Sequence, residues 1–325
     1  MKVSHLESRN WSKSKSDGKD HLINGPKSSF LKLKVSGDMV TEEFLNMIRR
    51  TVLDFVPSYA FEKKDINITK NTTNLNNDML KYRISQLPIF NIDVKQKYIK
   101  EPISYVDPAL GNIDKDKDII KIDMFIKVEN KKRDILNITT NDVQIYVNDE
   151  KKDLYNKTDP ILILQLVPNS EFVCHAQASL GIGRVNAIWS PGQVHYYDEG
   201  KDYVLVVKST GQLSEKDILR NACKNIRHKM ESISDKINQL EFDTSKTNFI
   251  IELDDEDFTC TSLINYYIQS NKHVDFSGLV REDHNIDNVT FKIIVNGITI
   301  PKLFKQAIKE ALEPVEKFEE QIGKI

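Results

Sequence analysis

The chain has 325 residues, of which 29% are charged, and its formal net charge is −2 at pH 7. This length allows a sizeable core in two or three compact units, and the near-neutral charge argues against nonspecific nucleic-acid binding. No apolar run reaches the roughly 20 residues of a membrane-spanning helix. Residues 1–27 lack the apolar core of a secretory signal, and their polar composition predicts a mobile tail.

The first elements along the chain are a strand and an amphipathic helix. Apolar side chains alternate with lysines in Phe30–Val35, which is typical of a half-buried strand. Thr41 is a candidate N-cap for the helix, and Pro57 ends it. The apolar stripe of this helix consists of Phe44, Ile48, Val52 and Phe55.

The middle of the chain is rich in predicted strands. Apolar runs or alternations predict strands at Ile120–Val128, Ile161–Val167 and Val204–Val207. Gly181–Gly183 is predicted to form a loop. This loop is not a phosphate-binding motif, because it lacks a third glycine and no helix clearly follows.

Two long amphipathic helices are predicted nearer the C-terminus. One spans Leu213–Leu240 with Ser214 as its cap, and the other spans Pro301–Ile322 with Pro301 near position N1. A strand, an acidic loop, a threonine and an amphipathic helix occur in the same order and spacing in Phe30–Phe44 and in Phe249–Leu263. Each half then supplies one long helix, and this repetition indicates a pseudo-twofold dimer within one chain.

Four segments in the first two thirds of the chain carry a family resemblance. They are Asn46–Ala60, Asn71–Ile89, ITTNDV at Ile138–Val143 and GIGRVNAIWSP at Gly181–Pro191. These segments resemble motifs of the alpha-like subunits of cellular RNA polymerases: N-x-L-R-R with a following Pro and Ala, N-T-S with R-x-x-x-I-P-I, V-T-S-x-D-L, and G-I-G-K-x-H-A-K-W-S-P. That family includes the bacterial alpha subunit, its archaeal D-type counterpart and the third subunit of RNA polymerase II. Asn186 and Ile188 replace the family His and Lys.

Two later segments resemble the small partner of those subunits. EDFTCTSLI at Glu256–Ile264 is similar to E-D-H-T-L-G-N-L-L, and VDFSGL at Val274–Leu279 is similar to V-x-F-A-G-Y. The partner is the archaeal L-type protein or the eleventh subunit of RNA polymerase II. Phe258, Thr261 and Ser262 depart from the family His, Gly and Asn. The chain therefore resembles a fusion of the two partners, as in the RNA polymerases of large cytoplasmic DNA viruses.

The resemblance covers about residues 28–323 and implies an α+β fold with a pseudo-twofold dimerisation core of D/L type and an inserted β-rich domain. The expected parts are a mobile tail (1–27), a D-like domain (28–56 and 203–242), an insertion (57–202) and an L-like domain (243–325). Some relatives hold a metal with cysteines in a loop that corresponds to Tyr98–Lys117. This loop has no cysteine here, so we expect no metal and no other cofactor.

The same resemblance implies a non-catalytic platform that docks the largest and second-largest RNA polymerase subunits and a small zinc-binding subunit. It implies neither direct sequence-specific DNA binding nor membrane attachment. We expect such a chain in the cytoplasm or, for a viral polymerase, in the host cytoplasm and the virion. The candidate interface residues are Asn46, Arg49, Arg50, Arg83, Arg184, Trp189, Glu256 and Asp257. Trp189 could instead be a packing residue, and Glu256 and Asp257 could instead complement a helix dipole.

An enzymatic role lacks a catalytic set. Cys174 and His175 are neighbours in a predicted strand and so point to opposite faces, although His195 lies downstream. The three cysteines suggest neither a disulfide framework nor a zinc motif. A stand-alone interaction scaffold that uses the alpha-like fold outside a polymerase stays open at this point.

Overall fold

The computed structural model describes residues 1–9, 29–90, 92, 103–104, 119–155, 157–158, 160–243, 245–281 and 287–325. The strands are β1 Lys2–Arg9, β2 Phe30–Ser36, β3 Pro57–Asn71, β4 Ile103–Ser104, β5 Ile122–Glu129, β6 Leu136–Thr139, β7 Val143–Val147, β8 Glu150–Lys151, β9 Leu162–Leu166, β10 Glu171–Ile182, β11 Gly192–Glu199, β12 Asp202–Ser209, β13 Asn248–Asp254, β14 Val274–Val280 and β15 Asn288–Val295. The α-helices are α1 Glu42–Asp54, α2 Asn77–Ser85, α3 Glu215–Gln239, α4 Phe258–Gln269 and α5 Ile300–Lys324. The prediction of an α+β fold is confirmed.

The described residues form two compact units. The first, the helix unit, comprises Met1–Phe55, Gln193–Lys208 and Glu215–Ile325. The second, the strand unit, comprises Val56–Gly192 and Ser209–Ser214.

The first half of the helix unit is a four-stranded sheet with two helices. Its strand order is β1-β2-β12-β11, and β2 pairs antiparallel with both β1 and β12. Leu31, Leu33 and Val35 alternate toward the core from β2. The Thr41 side chain accepts a hydrogen bond from the Phe44 backbone N–H at 3.2 Å, which confirms the predicted N-cap of α1.

The second half of the helix unit is a three-stranded sheet with two helices. Its order is β13-β15-β14, and both pairings are antiparallel. Phe291 of β15 packs edge-on against Phe304 of α5, with ring centroids 5.1 Å apart. Pro301 lies in the first turn of α5, as predicted, because a proline there gives up no hydrogen bond within the helix.

The two halves share one topology. The strand order β2-β12-β11 in the first half corresponds to β13-β15-β14 in the second. The short helices α1 and α4 have 13 and 12 residues, and the long helices α3 and α5 have 25 residues each. Strand β1 is an addition at the edge of the first sheet.

The strand unit is built on a sheet of order β3-β10-β5-β7-β8, with β4 also paired to β10. A two-stranded sheet, β6-β9, and the helix α2 complete the unit. Trp189 lies in a short 3₁₀ turn, is 1% exposed, and donates a hydrogen bond from Nε1 to the Ser179 carbonyl at 3.1 Å.

Three predictions need correction. Residues 2–9 are not a mobile tail, because β1 pairs antiparallel with β2; residues 10–28 lie outside the described residues. Gly181 and Ile182 belong to β10 rather than to a loop. The insertion ends at residue 192 rather than 202, because β11 completes the sheet that contains β2 and β12.

Candidate subunit-assembly interface

The four helices of the helix unit bury their apolar stripes against one another. Helix α1 contacts α4, α3 contacts α5, and α3 also contacts α1 and α4. We call the contacts that join the two halves, which are those of α1 with α4 and of α3 with α4 and α5, the helix seam. Buried apolar side chains on these four helices include Phe44, Ile48, Val52, Leu219, Ile226, Met230, Ile233, Leu263, Ile264, Phe304, Ala311, Val315 and Phe318. Since burial of apolar surface is the dominant favourable contribution to folding, neither half could leave this face in water without a large cost.

Specific contacts join residues of the first half to residues of the second across the helix seam. The rings of Phe44 on α1 and Phe318 on α5 meet edge to face, with centroids 5.7 Å apart. The guanidinium of Arg227 on α3 forms an ion pair with the Glu319 carboxylate on α5. The long helices therefore contribute both apolar and ionic contacts to the seam.

A cluster of five charged side chains lies at one side of the seam. We call it the seam ion cluster; it consists of Arg50 on α1, Lys229 and Lys236 on α3, and Glu256 and Asp257 just before α4. The Lys229 ammonium lies 3.4 Å from a carboxylate oxygen of each acid. Lys236 donates to Glu256 at 2.9 Å, and Arg50 donates to Asp257 at 3.3 Å. The three cations thus balance two carboxylates that are both buried.

Asp257 is the centre of this cluster. Its side chain is 2% exposed, and it caps α4 by accepting a hydrogen bond from the Thr259 backbone N–H at 2.9 Å. Burial raises the pKa of this carboxyl, but the Lys229 charge, the Thr259 hydrogen bonds and the Arg50 charge together lower it to about 2. Asp257 is therefore ionised in the folded protein at neutral pH.

The Lys229 side chain is unusually buried for one that ends in an ammonium group. Its side chain is 7% exposed, and its Nζ lies 4.2 Å from the centroid of the Phe55 ring. Asn225, one turn earlier on α3, donates a hydrogen bond to the Phe55 carbonyl at 2.9 Å. A buried charge is tolerated only when it is paired, so these contacts make α3 specific for its neighbours.

Three of the candidate interface residues lie at an interface inside the chain. Arg50, Glu256 and Asp257 pair across the helix seam, where both acids are buried and the Arg50 side chain is 27% exposed; a contact of these residues with another subunit stays a prediction. The alternative interpretation of the two acids, as groups at the start of a helix, is confirmed for Asp257 by its cap hydrogen bond. Sequence reasoning missed that these acids face cations from the other half.

Asn46 and Arg49 form a local pair on α1. The Asn46 side-chain oxygen accepts hydrogen bonds from Arg49 Nε at 3.2 Å and from an Arg49 terminal nitrogen at 2.7 Å. Both side chains are half-buried, and this pairing holds the guanidinium against its own helix. Their assignment to a contact with another subunit stays a prediction.

The remaining candidates lie in the strand unit. Arg83 in the last turn of α2 and Arg184 just after β10 are exposed, and their interface role stays a prediction. Trp189 is different: its ring is enclosed, and a Cβ placed on Gly181 would lie 2.2 Å from it. The Trp189 side chain therefore packs inside the strand unit, and a contact of this segment with another subunit stays a prediction.

The position of Lys229 in the sequence predicts part of the seam ion cluster. Lys229 follows Ile226 by three residues and precedes Ile233 by four, which places a lysine within the apolar stripe of α3. A lysine at such a position requires a carboxylate partner from another element. The acidic pair before α4 was the available partner, but only the fold shows that the two meet.

Cys174 and His175 do not form a catalytic dyad with each other. Cys174 is buried in β10, and burial raises the pKa of its thiol to about 12, so the thiol stays protonated. His175 lies on the opposite face of the strand, as predicted, and its Nε2 is 2.9 Å from an Asp123 carboxylate oxygen. A protonated thiol turned away from its neighbouring histidine is a poor nucleophile.

Metal and membrane features can be stated only for the described part of the chain. There, no group of three or more His, Cys, Asp or Glu side chains could hold a metal ion. The loop at Tyr98–Lys117 lies outside the described residues except for residues 103–104, so the absence of a metal stays a prediction. None of the described helices combines the length and the apolar character that a bilayer crossing requires.

Comparisons with known proteins agree with the architecture. The family model described as "RNA polymerase Rpb3/Rpb11 dimerisation domain" matches residues 40–230, which is more than half of the chain. A protein of Acanthamoeba polyphaga mimivirus, named "Putative DNA directed RNA polymerase subunit R470", is 27% identical over 285 residues and covers 80% of each chain. "DNA-directed RNA polymerase subunit Rpo3" of Methanocaldococcus jannaschii is 26% identical over 199 residues, 61% of this chain and 86% of the archaeal one. The chain therefore belongs to the RNA polymerase Rpb3/Rpb11 dimerisation domain family, as an alpha-like subunit of a DNA-directed RNA polymerase.

Proposed function

We propose that the chain is a non-catalytic assembly platform of a DNA-directed RNA polymerase, formed by a D-like half and an L-like half that dimerise within one polypeptide. The D-like part comprises β1, β2, α1, β11, β12 and α3, and the L-like part comprises β13, α4, β14, β15 and α5. The paired halves then dock the two large catalytic subunits. The cytoplasm, or the host cytoplasm and virion for a viral polymerase, stays the predicted place of assembly.

The observation that carries this proposal is the shared topology of the two halves. A common strand order and helices of matched length mean that each half presents the same kind of apolar helix pair. Two such surfaces can cover each other in the way that the two chains of a twofold dimer do. The Phe44–Phe318 contact and the seam ion cluster support such a pairing.

One comparison extends into the L-like half, although the family match does not cover that half. The family match ends at residue 230, inside α3, and so leaves out β13 to α5. The mimivirus relative, however, aligns with 80% of the 325 residues, which is more than the 242 residues that precede the L-like half. Its alignment therefore reaches into that half, whereas the archaeal alignment covers only 61% of the chain.

A covalent link makes the pairing of the halves efficient. Eight residues separate Gln239 of α3 from Asn248 of β13, a span of at most about 29 Å when fully extended. A short linker gives a local concentration of about millimolar, which replaces a bimolecular association with an intramolecular one. Assembly of the polymerase would then begin from one folded chain rather than from a two-chain dimer.

Co-purification tests the platform role. The tagged full-length chain is co-expressed with the largest, second-largest and small zinc-binding subunits from the same source, and the captured proteins are identified by mass. The proposal predicts that both large subunits are retained together with this chain. A folded chain that retains neither large subunit would contradict the platform role and favour the stand-alone scaffold.

A further inference from the structure

One exposed face of α5 carries a stripe of charges in two blocks. Lys302, Lys305 and Lys309 are followed by Glu313 and Glu316, at intervals of three, four, four and three residues. Residues at these intervals lie on one face of a helix, and all five side chains are exposed. The stripe is about 20 Å long, with positive charge toward the start of α5 and negative charge toward its middle. We call it the bipolar stripe.

The bipolar stripe lines a groove rather than a convex surface. The groove has a volume of about 1180 Å³, and its other lining residues include Lys272 and His273 in the turn before β14 and Ser234 on α3. Lys272 also lines the groove and adds a fourth positive charge. The groove therefore presents charges from α5 and from the turn before β14 to an incoming segment.

In the part of the chain that the structure describes, the three lysines of the stripe form no ion pair that would stabilise the helix that carries them. Lys302 lies in the first turn of α5, where a positive charge opposes the helix dipole, and that turn has no acidic residue. Thr299 occupies the N-cap position of α5 without a side-chain cap hydrogen bond. Within the described residues, Lys302, Lys305 and Lys309 form no ion pair, while Glu313 is paired with Lys317. Ion pairs within α5 therefore do not account for the three lysines.

The acidic block decides what kind of ligand fits. Glu313 and Glu316, together with Glu310 in the same groove, would repel the phosphates of a nucleic acid that ran along the stripe. A polypeptide can carry charges of both signs in the complementary order. A length of about 20 Å corresponds to about six residues of extended chain or about fourteen residues of helix.

We propose that this groove binds a segment of another polymerase subunit whose carboxylates meet Lys302, Lys305 and Lys309 and whose basic side chains meet Glu313 and Glu316. The proposal rests on the platform function above and assigns one of its docking surfaces. Because the stripe is positive at one end and negative at the other, a segment with the complementary order of charges can bind in one direction only. A segment with the opposite order of charges would be repelled at both ends. The groove is thus a specificity site within the second half.

Zero-length carbodiimide cross-linking of the co-purified assembly tests the proposal, because this reagent joins an amine directly to a carboxylate in contact with it. The expected result is a cross-link from Lys302, Lys305 or Lys309 to an acidic residue of another subunit, and a cross-link from Glu313 or Glu316 to a lysine in the same segment. Absence of cross-links from both blocks to any other subunit would overturn the proposal.

A pair of charge-reversal variants provides the second measurement. The full-length variant with Lys302→Glu and Lys305→Glu is expected to retain about tenfold less of the subunit that is cross-linked to the groove than the wild type does. The control variant carries Lys208→Glu and Lys292→Glu, which make the same change in net charge on exposed strand residues and are expected to leave capture unchanged. Equal capture by the wild type and the groove variant would contradict the groove assignment while leaving the platform role intact. Failure of the wild type to capture any subunit would contradict both the groove assignment and the platform role.

Discussion

Arg50 and Asp257 are 207 residues apart in the sequence, yet the Arg50 guanidinium donates a hydrogen bond to the Asp257 carboxylate at 3.3 Å. Asp257 also caps α4 and faces Lys229 on α3. One carboxylate therefore links helix α1, helix α3 and the start of helix α4. An alternative pairing of the halves would leave this buried charge without its partners, which is costly.

The first prediction concerns the loss of that carboxylate. Asp257→Ala removes a buried partner of two cations and a helix cap, and it is expected to lower the free energy of unfolding by about 3 kcal/mol. Urea titration of the full-length protein measures the change. The control is Glu252→Gln on β13, an exposed carboxylate in the same half, which should change stability by less than about 0.5 kcal/mol. Equal effects of the two substitutions would contradict the role assigned to Asp257.

The second prediction concerns acid pH. Folding lowers the pKa of Asp257 from 3.8 to about 2, so its ionised form stabilises the folded state above the unfolded pKa and this contribution is lost as the pH falls toward 2. The stability gap between the wild type and Asp257→Asn should therefore narrow by about 2 kcal/mol between pH 6 and pH 2. Urea titrations of both proteins at several pH values test this. A gap that does not change with pH would show that the carboxylate charge contributes nothing.

The third prediction separates the neighbouring arginines of α1. Arg50→Ala should destabilise the helix seam by about 1 kcal/mol, since its side chain is only partly buried, without a direct effect on docking. Arg49→Ala should leave stability within about 0.5 kcal/mol of the wild type but reduce capture of the second-largest subunit. Urea titration and co-purification are measured on both variants. Loss of capture in Arg50→Ala alone would reverse this assignment.

The fourth prediction concerns coupling between the halves. Phe318→Ala on α5 removes the ring that packs against Phe44, and it is expected to lower the free energy of unfolding by about 3 to 5 kcal/mol. Hydrogen exchange should become faster in α1 of the first half as well as in α5, because the two pack together. The control, Phe276→Ala, removes a ring that is 53% exposed on β14 and should leave the hydrogen-exchange rates in α1 unchanged. Faster exchange confined to the second half would mean that the halves fold independently.

The fifth prediction concerns the packing around Trp189. An alanine Cβ at position 181 would lie 2.2 Å from the indole ring, so Gly181→Ala should destabilise the strand unit by about 1 to 3 kcal/mol. At Gly323 on α5 the space around a new Cβ is open, and Gly323→Ala should be neutral or slightly stabilising. Thermal unfolding compares the two variants. A neutral Gly181→Ala would show that the indole ring moves freely.

The sequence was sufficient to predict the elements that repeat. Period-two and helical periodicities identified β2 and the helices α1, α3 and α5, and the equal spacing of two segments indicated the two-half plan. Cap chemistry at Thr41 also followed from the local sequence. These features depend on residues close together in the chain, where the pattern of side chains is the main determinant.

Other features depend on contacts that no local pattern contains. The strand β1 was missed because its alternation is polar, KVSHLESR, and only its pairing with β2 makes it a strand. The burial of Glu256 and Asp257 depends on cations from the other half of the helix unit. Trp189 lay in a segment that resembled an exposed loop, but its ring is enclosed next to Gly181. In each case the residues that determine the structure lie elsewhere in the same chain.

The subunit stoichiometry of the intact polymerase tests the central claim most directly. Native mass spectrometry of the assembly purified through this chain should show one copy of the chain with one copy of each large subunit and no separate L-like partner. Two copies of this chain, or one copy bound to a distinct small dimerisation partner, would show that the platform is completed by another polypeptide and would contradict the intramolecular dimer.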